Sequence, residues 1–191
     1  MTSSSKPSDS IGPAATPEVL AAAQKIKAVI LDVDGVLTDG KLYYGNKGEE
    51  LKTFNTQDGL GIKLLQRAGI KVGIITARNS PVVSRRATEL GIDYLIQGRE
   101  DKLIALKELL SDHALATSLT EIAYMGDDLP DLPAIRKVGL GMTVANASTT
   151  VAQYADWQSS FPGGSGAVRE AAELILSAQN KLADVLAEYL V

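Results

Sequence analysis

Ala28-Val29-Ile30-Leu31-Asp32-Val33-Asp34-Gly35-Val36-Leu37-Thr38-Asp39 is the stretch on which the reading of this chain turns. Four apolar residues, the length of a buried strand, run into two acids one residue apart and then a glycine that lets the chain bend sharply. Alternate side chains of an extended chain point the same way, so Asp32 and Asp34 face one side at the strand end. Carboxylates so placed repel unless a cation sits between them. Asp34-Gly35 also reads as an ordinary turn pair, but Asp32 has no turn role to explain it. A carboxylate there can take a phosphoryl group as an aspartyl phosphate, and a second acid two residues on can protonate the leaving oxygen and later deprotonate water.

Composition narrows the alternatives. A length of 191 residues suits one domain with a full core and a small insertion. The net charge of −4 and the lack of long runs of one sign argue against nucleic acid as a partner. No apolar stretch reaches the roughly 20 residues of a membrane span. The N-terminus lacks the basic-then-apolar order of a signal peptide, so no membrane partner and a cytoplasmic location are expected. With no cysteine and one histidine, disulfides, thiolate chemistry and a multi-histidine metal site are excluded. Acid–base work then falls to carboxylates.

Residues 1–17, rich in Ser, Pro and Thr without a hydrophobic period, are expected to be a disordered tail, and 18–191 to form one domain. A short helix over Glu18 to Lys25 leads into a first strand over Ile26 to Val33. Residues 41–44, 45–48 and 49–54 read as strand, turn and strand, a hairpin insertion at about 40–55. Tyr43, Tyr44 and Phe54 are three of the eight Tyr and Phe residues, too many for a freely solvated ribbon, so a partner subunit is expected to cover it. Leu60, Leu64, Leu65 and Ala68 share one side of the next helix, which Gly69 ends.

The strands expected over 72–76, 92–96, 122–125 and 140–144 are nearly unbroken apolar runs, the signature of strands buried on both faces. The fold class is therefore α/β, a parallel sheet with helices on both faces. Ser80 caps and Pro81 opens one helix, stopped by Gly91. Another runs from Lys102 to His113 with Leu103, Leu106 and Leu110 on one face. A long last helix over Ala167 to Leu190 carries Val168, Ala171, Ile175, Leu182, Leu186 and Tyr189 as one buried stripe.

Acids and hydroxyls gather at the C-terminal ends of these strands, where open α/β sheets place ligands. Gly126-Asp127-Asp128-Leu129-Pro130-Asp131 is a second acidic cluster. Asp128 and Asp131 could serve simply as helix cap and dipole complement, whereas Asp127 is the better ligand candidate. Asp127 meets Asp32 only if the first and fourth core strands are neighbours; Mg²⁺ usually takes one or two carboxylates plus water and phosphate oxygens. Thr76 ends the second core strand and Lys102 begins a helix at the same edge. A hydroxyl and an ammonium there could hold the equatorial oxygens of a transferring phosphoryl group.

Taken in order, Asp-x-Asp-Gly, Thr, Lys and Gly-Asp-Asp-x-x-Asp, spanning Asp32 to Asp131, resemble the four motifs of the haloacid dehalogenase-like superfamily of Mg²⁺-dependent phosphohydrolases. The resemblance implies a Rossmann-like fold with Asp32 as nucleophile, Asp34 as acid/base, and Thr76 and Lys102 binding phosphate. It implies Mg²⁺ held by Asp32, Asp127 and the main-chain carbonyl of Asp34, with Asp128 and Asp131 behind them. The hairpin with Phe54-Asn55-Thr56-Gln57-Asp58-Gly59, the Thr76-Ala77-Arg78 segment and Gly163-Gly164-Ser165-Gly166-Ala167-Val168-Arg169-Glu170 narrow it further. Over about residues 26–181 the chain is similar to the 3-deoxy-D-manno-octulosonate 8-phosphate phosphatase family.

That similarity implies no large cap domain and a homotetramer in which the hairpin and a neighbour's C-terminal segment close the site. It also implies a sugar-acid phosphate substrate of lipopolysaccharide precursor synthesis, touched by Asp58, Gly59, Arg78 and Arg86. Many relatives have arginine where Gln57 stands and glycine where Ala77 stands, and the first change weakens a contact with a sugar-acid carboxylate. A phosphatase for a sialic-acid-like 9-phosphate stands as the alternative within the class. Outside it stand a phospho-accepting receiver module, against which Asp34 argues, and a catalytically idle relative. Arg169 opposes the dipole of the last helix, which a nearby anion would explain. His113 reads as structural or solvent-facing, and Trp157 as core or interface.

Overall fold

The order of strands in the sheet determines where chemistry can happen. The computed structural model describes residues 15–46, 50–111, 115 and 117–190. Most of the expected tail, the centre of the hairpin turn and His113 lie outside them. The described elements are α1 (Pro17–Ala23), β1 (Ala28–Leu31), β2 (Tyr43–Tyr44), β3 (Glu50–Leu51), α2 (Thr56–Arg67), β4 (Lys71–Ile75), α3 (Pro81–Leu90), β5 (Tyr94–Ile96) and α4 (Lys102–Ser111), followed by β6 (Ile122–Met125), α5 (Leu132–Ile135), β7 (Leu140–Thr143), α6 (Thr149–Tyr154), β8 (Trp157–Gln158), α7 (Ala167–Ala178) and α8 (Leu182–Leu186).

Six strands form one parallel sheet in the order β5-β4-β1-β6-β7-β8, a doubly wound, Rossmann-like arrangement. From β1 the chain winds outward through β4 and β5, then returns to β6 on the other side of β1. That reversal opens a crevice beyond the C-terminal ends of β1 and β6, with Leu31 opposite Met125 in register. Asp32 follows Leu31, and its amide still donates to the Met125 carbonyl at 3.0 Å. β1 stops short of the expected Val33 because the Val33 carbonyl accepts the amides of Val36, Leu37 and Thr38 to close a tight turn.

Strand alternation builds two apolar layers. Val29, Leu31, Ala123 and Met125 pack with α1, α2, α3 and α7 on one face. Ala28, Ile30, Ile122 and Tyr124 pack with α4, α5 and α6 on the other. Each fully buried Leu or Ile side chain contributes about 1.5–3 kcal/mol.

Four expectations need correction. β5 is an edge strand with Leu95 exposed, so it is covered less than its apolar sequence implies. In α4 the buried set is Lys102, Ala105, Leu106 and Leu109, with Leu103 and Leu110 only partly buried. Turning Lys102 inward rotates the helix. Phe54 leaves the hairpin and packs against the core, with the Arg86 guanidinium 5.8 Å from its ring centre.

The last helix is two. Asn180 adopts φ 56°, its amide donating to the Ser177 carbonyl and the Lys181 amide to the Leu176 carbonyl. These are the two bonds of a Schellman stop. Beyond it Leu182 and Leu186 are partly buried and Tyr189 is exposed, so the buried stripe ends with α7. The short β8 was not anticipated; it places Trp157 in the core.

The segment between β8 and α7 folds onto the β1 turn. Asp58 accepts the amides of Gly166 and Arg169, holding the start of α7 against α2. A Cβ at Gly163 would lie 1.7 Å from the Gly35 carbonyl oxygen, backbone against backbone. Gly163→Ala is expected to destabilise the protein by about 2 kcal/mol or more, the scale of overpacking. A urea midpoint unchanged from wild type would contradict this contact.

Candidate active site

Asp32, Asp127 and Asp131 converge at the crevice, each offering a carboxylate oxygen within 4.8 Å of the others. The first two come from the ends of β1 and β6. Gly35, at φ 91°, lets the chain turn beside Asp127, where a Cβ would fall 2.1 Å from its Oδ2. Asp131 comes from the N-terminal end of α5, but its carboxylate turns back toward the strand. Its Oδ2 accepts the amides of Asp127 and Asp128, and its Oδ1 accepts Lys102 Nζ and the Tyr124 hydroxyl. Both oxygens are thus committed to donors.

Lys102, its side chain 2% exposed, lies 2.8 Å from Asp32 Oδ1 and 2.9 Å from Asp131 Oδ1. Burial opposes its charge, yet these two acids hold its pKa above the ordinary value. Asp32 is pushed up to about 6 by burial and then by the Asp131 charge, against the pull of Lys102. Asp127 is pushed up to about 7, by burial first and then by Asp131, Asp32 and Asp128. Burial, followed by the Asp131 charge, raises the Tyr124 phenol well above its normal range, which keeps it a donor. One lysine does not balance three clustered acids, and that imbalance is what a divalent cation would relieve.

A cleft of about 370 Å³ lies over this cluster, large enough for a small phosphorylated ligand. Asp34, Thr76, Ala77, Arg78 and Asp128 line it with the acids and Lys102. Thr76 follows β4; its amide donates to the Ile96 carbonyl and its hydroxyl accepts the Arg78 amide at 3.4 Å. Asp34 lines the same cleft but is not one of the three clustered acids. Its Oδ1 accepts Lys52 Nζ, and its Oδ2 lies 3.8 Å from Arg78 Nε.

Asp58, Gly59 and Arg86 are not brought to this cleft. They line a separate, nearly closed space with Phe54 and Leu90, and Asp58 is spent on the start of α7. Gln57 lies in the first turn of α2, its amide bonded to Asn55 Oδ1. The anions that explain Arg169 are Glu173, which accepts its Nε, and Asp58 beneath its amide. Sequence reading missed Tyr124 and Lys52. Tyr124 sits among apolar neighbours, and its spacing of two from Ile122 shows only that both share a strand face. Lys52 carries no local signal at all.

A family model described as haloacid dehalogenase-like hydrolase matches residues 95–169. The 3-deoxy-D-manno-octulosonate 8-phosphate phosphatase KdsC of Escherichia coli strain K12 is 48% identical over 165 residues, covering 86% of this chain and 87% of the relative. The chain belongs to the 3-deoxy-D-manno-octulosonate 8-phosphate phosphatase family. A solved family structure from Moraxella catarrhalis, in complex with a magnesium ion, a phosphate ion and a KDO molecule, superposes with a TM-score of 0.87 at 46% identity. The match covers 90% of this chain and 98% of that one. The cobalt-bound form of the deoxy-D-mannose-octulosonate 8-phosphate phosphatase from Haemophilus influenzae gives 0.83 at 41% identity, covering 89% and 99%.

Proposed function

We propose that this chain hydrolyses 3-deoxy-D-manno-octulosonate 8-phosphate to the free sugar acid and phosphate, as a Mg²⁺-dependent phosphatase of lipopolysaccharide precursor synthesis. The observation that carries the reading is the meeting of Asp32, Lys102 and Asp127 with Thr76 at the switch point of the sheet. In the first step an Asp32 oxygen bonds to phosphorus as the ester P–O bond breaks, and Asp34 gives a proton to the departing sugar oxygen. In the second, Asp34 takes a proton from water, which attacks phosphorus and releases Asp32. Thr76 and Lys102 hold the equatorial oxygens, with two of the three ammonium donors already directed at Asp32 and Asp131. When bound by Asp32, Asp127 and the Asp34 carbonyl, a divalent cation screens the repulsion between anionic nucleophile and anionic ester.

The chain works as one domain from residue 18 onward, in the cytoplasm, as a homotetramer. Support for assembly is the ribbon of β2 and β3, where Leu42, Tyr43, Tyr44 and Leu51 are exposed, Tyr44 at 68%.

Phosphate release from a panel of sugar-acid phosphates, with Mg²⁺ and after chelation, tests the reading. The 8-phosphate is expected to turn over fastest, chelation to abolish release, and added Mg²⁺ to restore it. Preference for a sialic-acid-like 9-phosphate, on which Gln57 bears, or equal turnover of unrelated esters would displace the substrate assignment. A phosphoaspartate lasting minutes would instead favour a receiver module.

A further inference from the structure

The pairing of Asp34 with Lys52 joins the hairpin to the chemistry. Lys52 immediately follows β3, in the segment between the ribbon and α2. Its side chain is 1% exposed, and Nζ donates to Asp34 Oδ1. Burying an ammonium is costly unless a partner compensates, so a lysine held this deep fixes the group it meets. On the other side, Arg78 Nε stands 3.8 Å from Asp34 Oδ2, and Arg78 Nη1 donates to the Tyr44 hydroxyl at 3.4 Å. The hairpin segment therefore reaches Asp34 twice, through Lys52 just after β3 and through Tyr44 by way of Arg78.

We infer that Lys52 is a positioning residue, which fixes the orientation of the Asp34 carboxylate in the cleft and so its aim at the leaving oxygen. This rests on the acid/base role of Asp34 proposed above. Asp34 lies in the tight turn after β1, before a glycine at φ 91°, and this fixed backbone leaves the side-chain torsions to be set by the groups that meet the carboxylate. Without Lys52 the carboxylate would be free to rotate toward Asp32 and Asp127, which line the same cleft. Lys52 prevents that rotation, and it arrives with the ribbon. The ribbon is then part of the acid–base apparatus as well as a surface for a neighbouring subunit.

The test is Lys52→Met beside Lys52→Arg and Asp34→Asn, assayed with 3-deoxy-D-manno-octulosonate 8-phosphate. Binding of the aspartyl-phosphate mimic beryllium trifluoride with Mg²⁺ is followed by fluorine NMR. Lys52→Met is expected to lower kcat about 10–100-fold, a part of the roughly 10²–10⁴-fold that positioned acid–base catalysis supplies. KM and beryllium trifluoride affinity are expected to hold within about threefold, since the phosphoryl pocket does not include Lys52. Lys52→Arg is expected to recover most of the loss. A raised KM with kcat intact would make Lys52 a substrate contact and overturn the positioning role, and loss of beryllium trifluoride binding would make it merely structural and overturn it equally. A fall in kcat for Asp34→Asn but not for Lys52→Met overturns the inference alone, whereas unchanged kcat in both removes the acid/base reading beneath it.

Discussion

Asp32→Asn is expected to lower turnover by about 10⁶-fold, the scale on which loss of a catalytic nucleophile falls. The amide matches the carboxylate in size and can still accept from Lys102 Nζ, so the pocket keeps its shape. It cannot form the aspartyl phosphate, because its nitrogen and carbonyl oxygen lack the nucleophilic charge of the carboxylate. Stability is expected to change little. Lys102 retains Asp131, and the substitution removes one of the three mutually repelling acids. The thermal midpoint should therefore stay within about 3 °C of wild type, where 1 kcal/mol corresponds to roughly 2–4 °C for a chain of this length. Single-turnover assays with phosphate detection check the first part. Activity within a hundredfold of wild type would rule out Asp32 as the attacking group.

Asp131→Ala is expected to have the largest effect on folding. Its carboxylate accepts four donors, namely Lys102 Nζ, the Tyr124 hydroxyl and the amides of Asp127 and Asp128. Tyr124 is fully buried, and Lys102 nearly so. Removing the acceptor takes the Tyr124 hydroxyl's partner away and leaves Lys102 with Asp32, a loss of about 3–5 kcal/mol for a broken buried pair. The corresponding fall in thermal midpoint is roughly 6–20 °C. Asp131→Asn keeps the size and one acceptor oxygen and should cost less than half as much. Melting must be compared at one protein concentration, because the proposed assembly would shift the midpoint by mass action. A fall of less than about 1 kcal/mol for alanine, below the cost of one unsatisfied buried group, would show that the four bonds are not what secures the segment. The same variant should lose activity even where it stays folded, since Asp131 orients the amides of Asp127 and Asp128.

These two residues mark how far local sequence reaches. Asp32 was legible because an acid at the end of an apolar strand is hard to explain by the strand itself. Asp131 was placed behind the expected metal ligands only through the family resemblance, since by spacing alone it reads equally well as a complement to the helix dipole. Its carboxylate turns backward rather than forward into α5, a choice made by Lys102 and Tyr124 from two other elements. The parallel sheet was similarly legible from its unbroken apolar runs. The end of α7 was not, because the apolar period continues past Asn180, and only the left-handed residue and its two hydrogen bonds break it.

Arg78 and Arg86 were both candidates on sequence, Arg86 the weaker because an arginine on a helix is more often a solvated charge, and the fold divides them. Arg78 reaches the cleft mouth beside Asp34, while Arg86 lies over Phe54 in a separate space. The residues next to either arginine do not encode that difference. It follows from α3 packing its inner face against the α2 layer, which turns Arg86 away from the strand ends.

By itself the sequence determined the residue types that can carry phosphoryl transfer, the strands that end in them and the parallel sheet that displays them, because periodicity and strand-end chemistry are local. Only the tertiary structure decided which of these groups meet. The return of the chain to β6 beside β1 brings Asp127 to Asp32, and the fold of the ribbon brings Lys52 to Asp34. Strand order and the approach of one loop to another are set by packing between segments far apart in the chain, so the partners of Asp32 and Asp34 appear only once those layers are assembled.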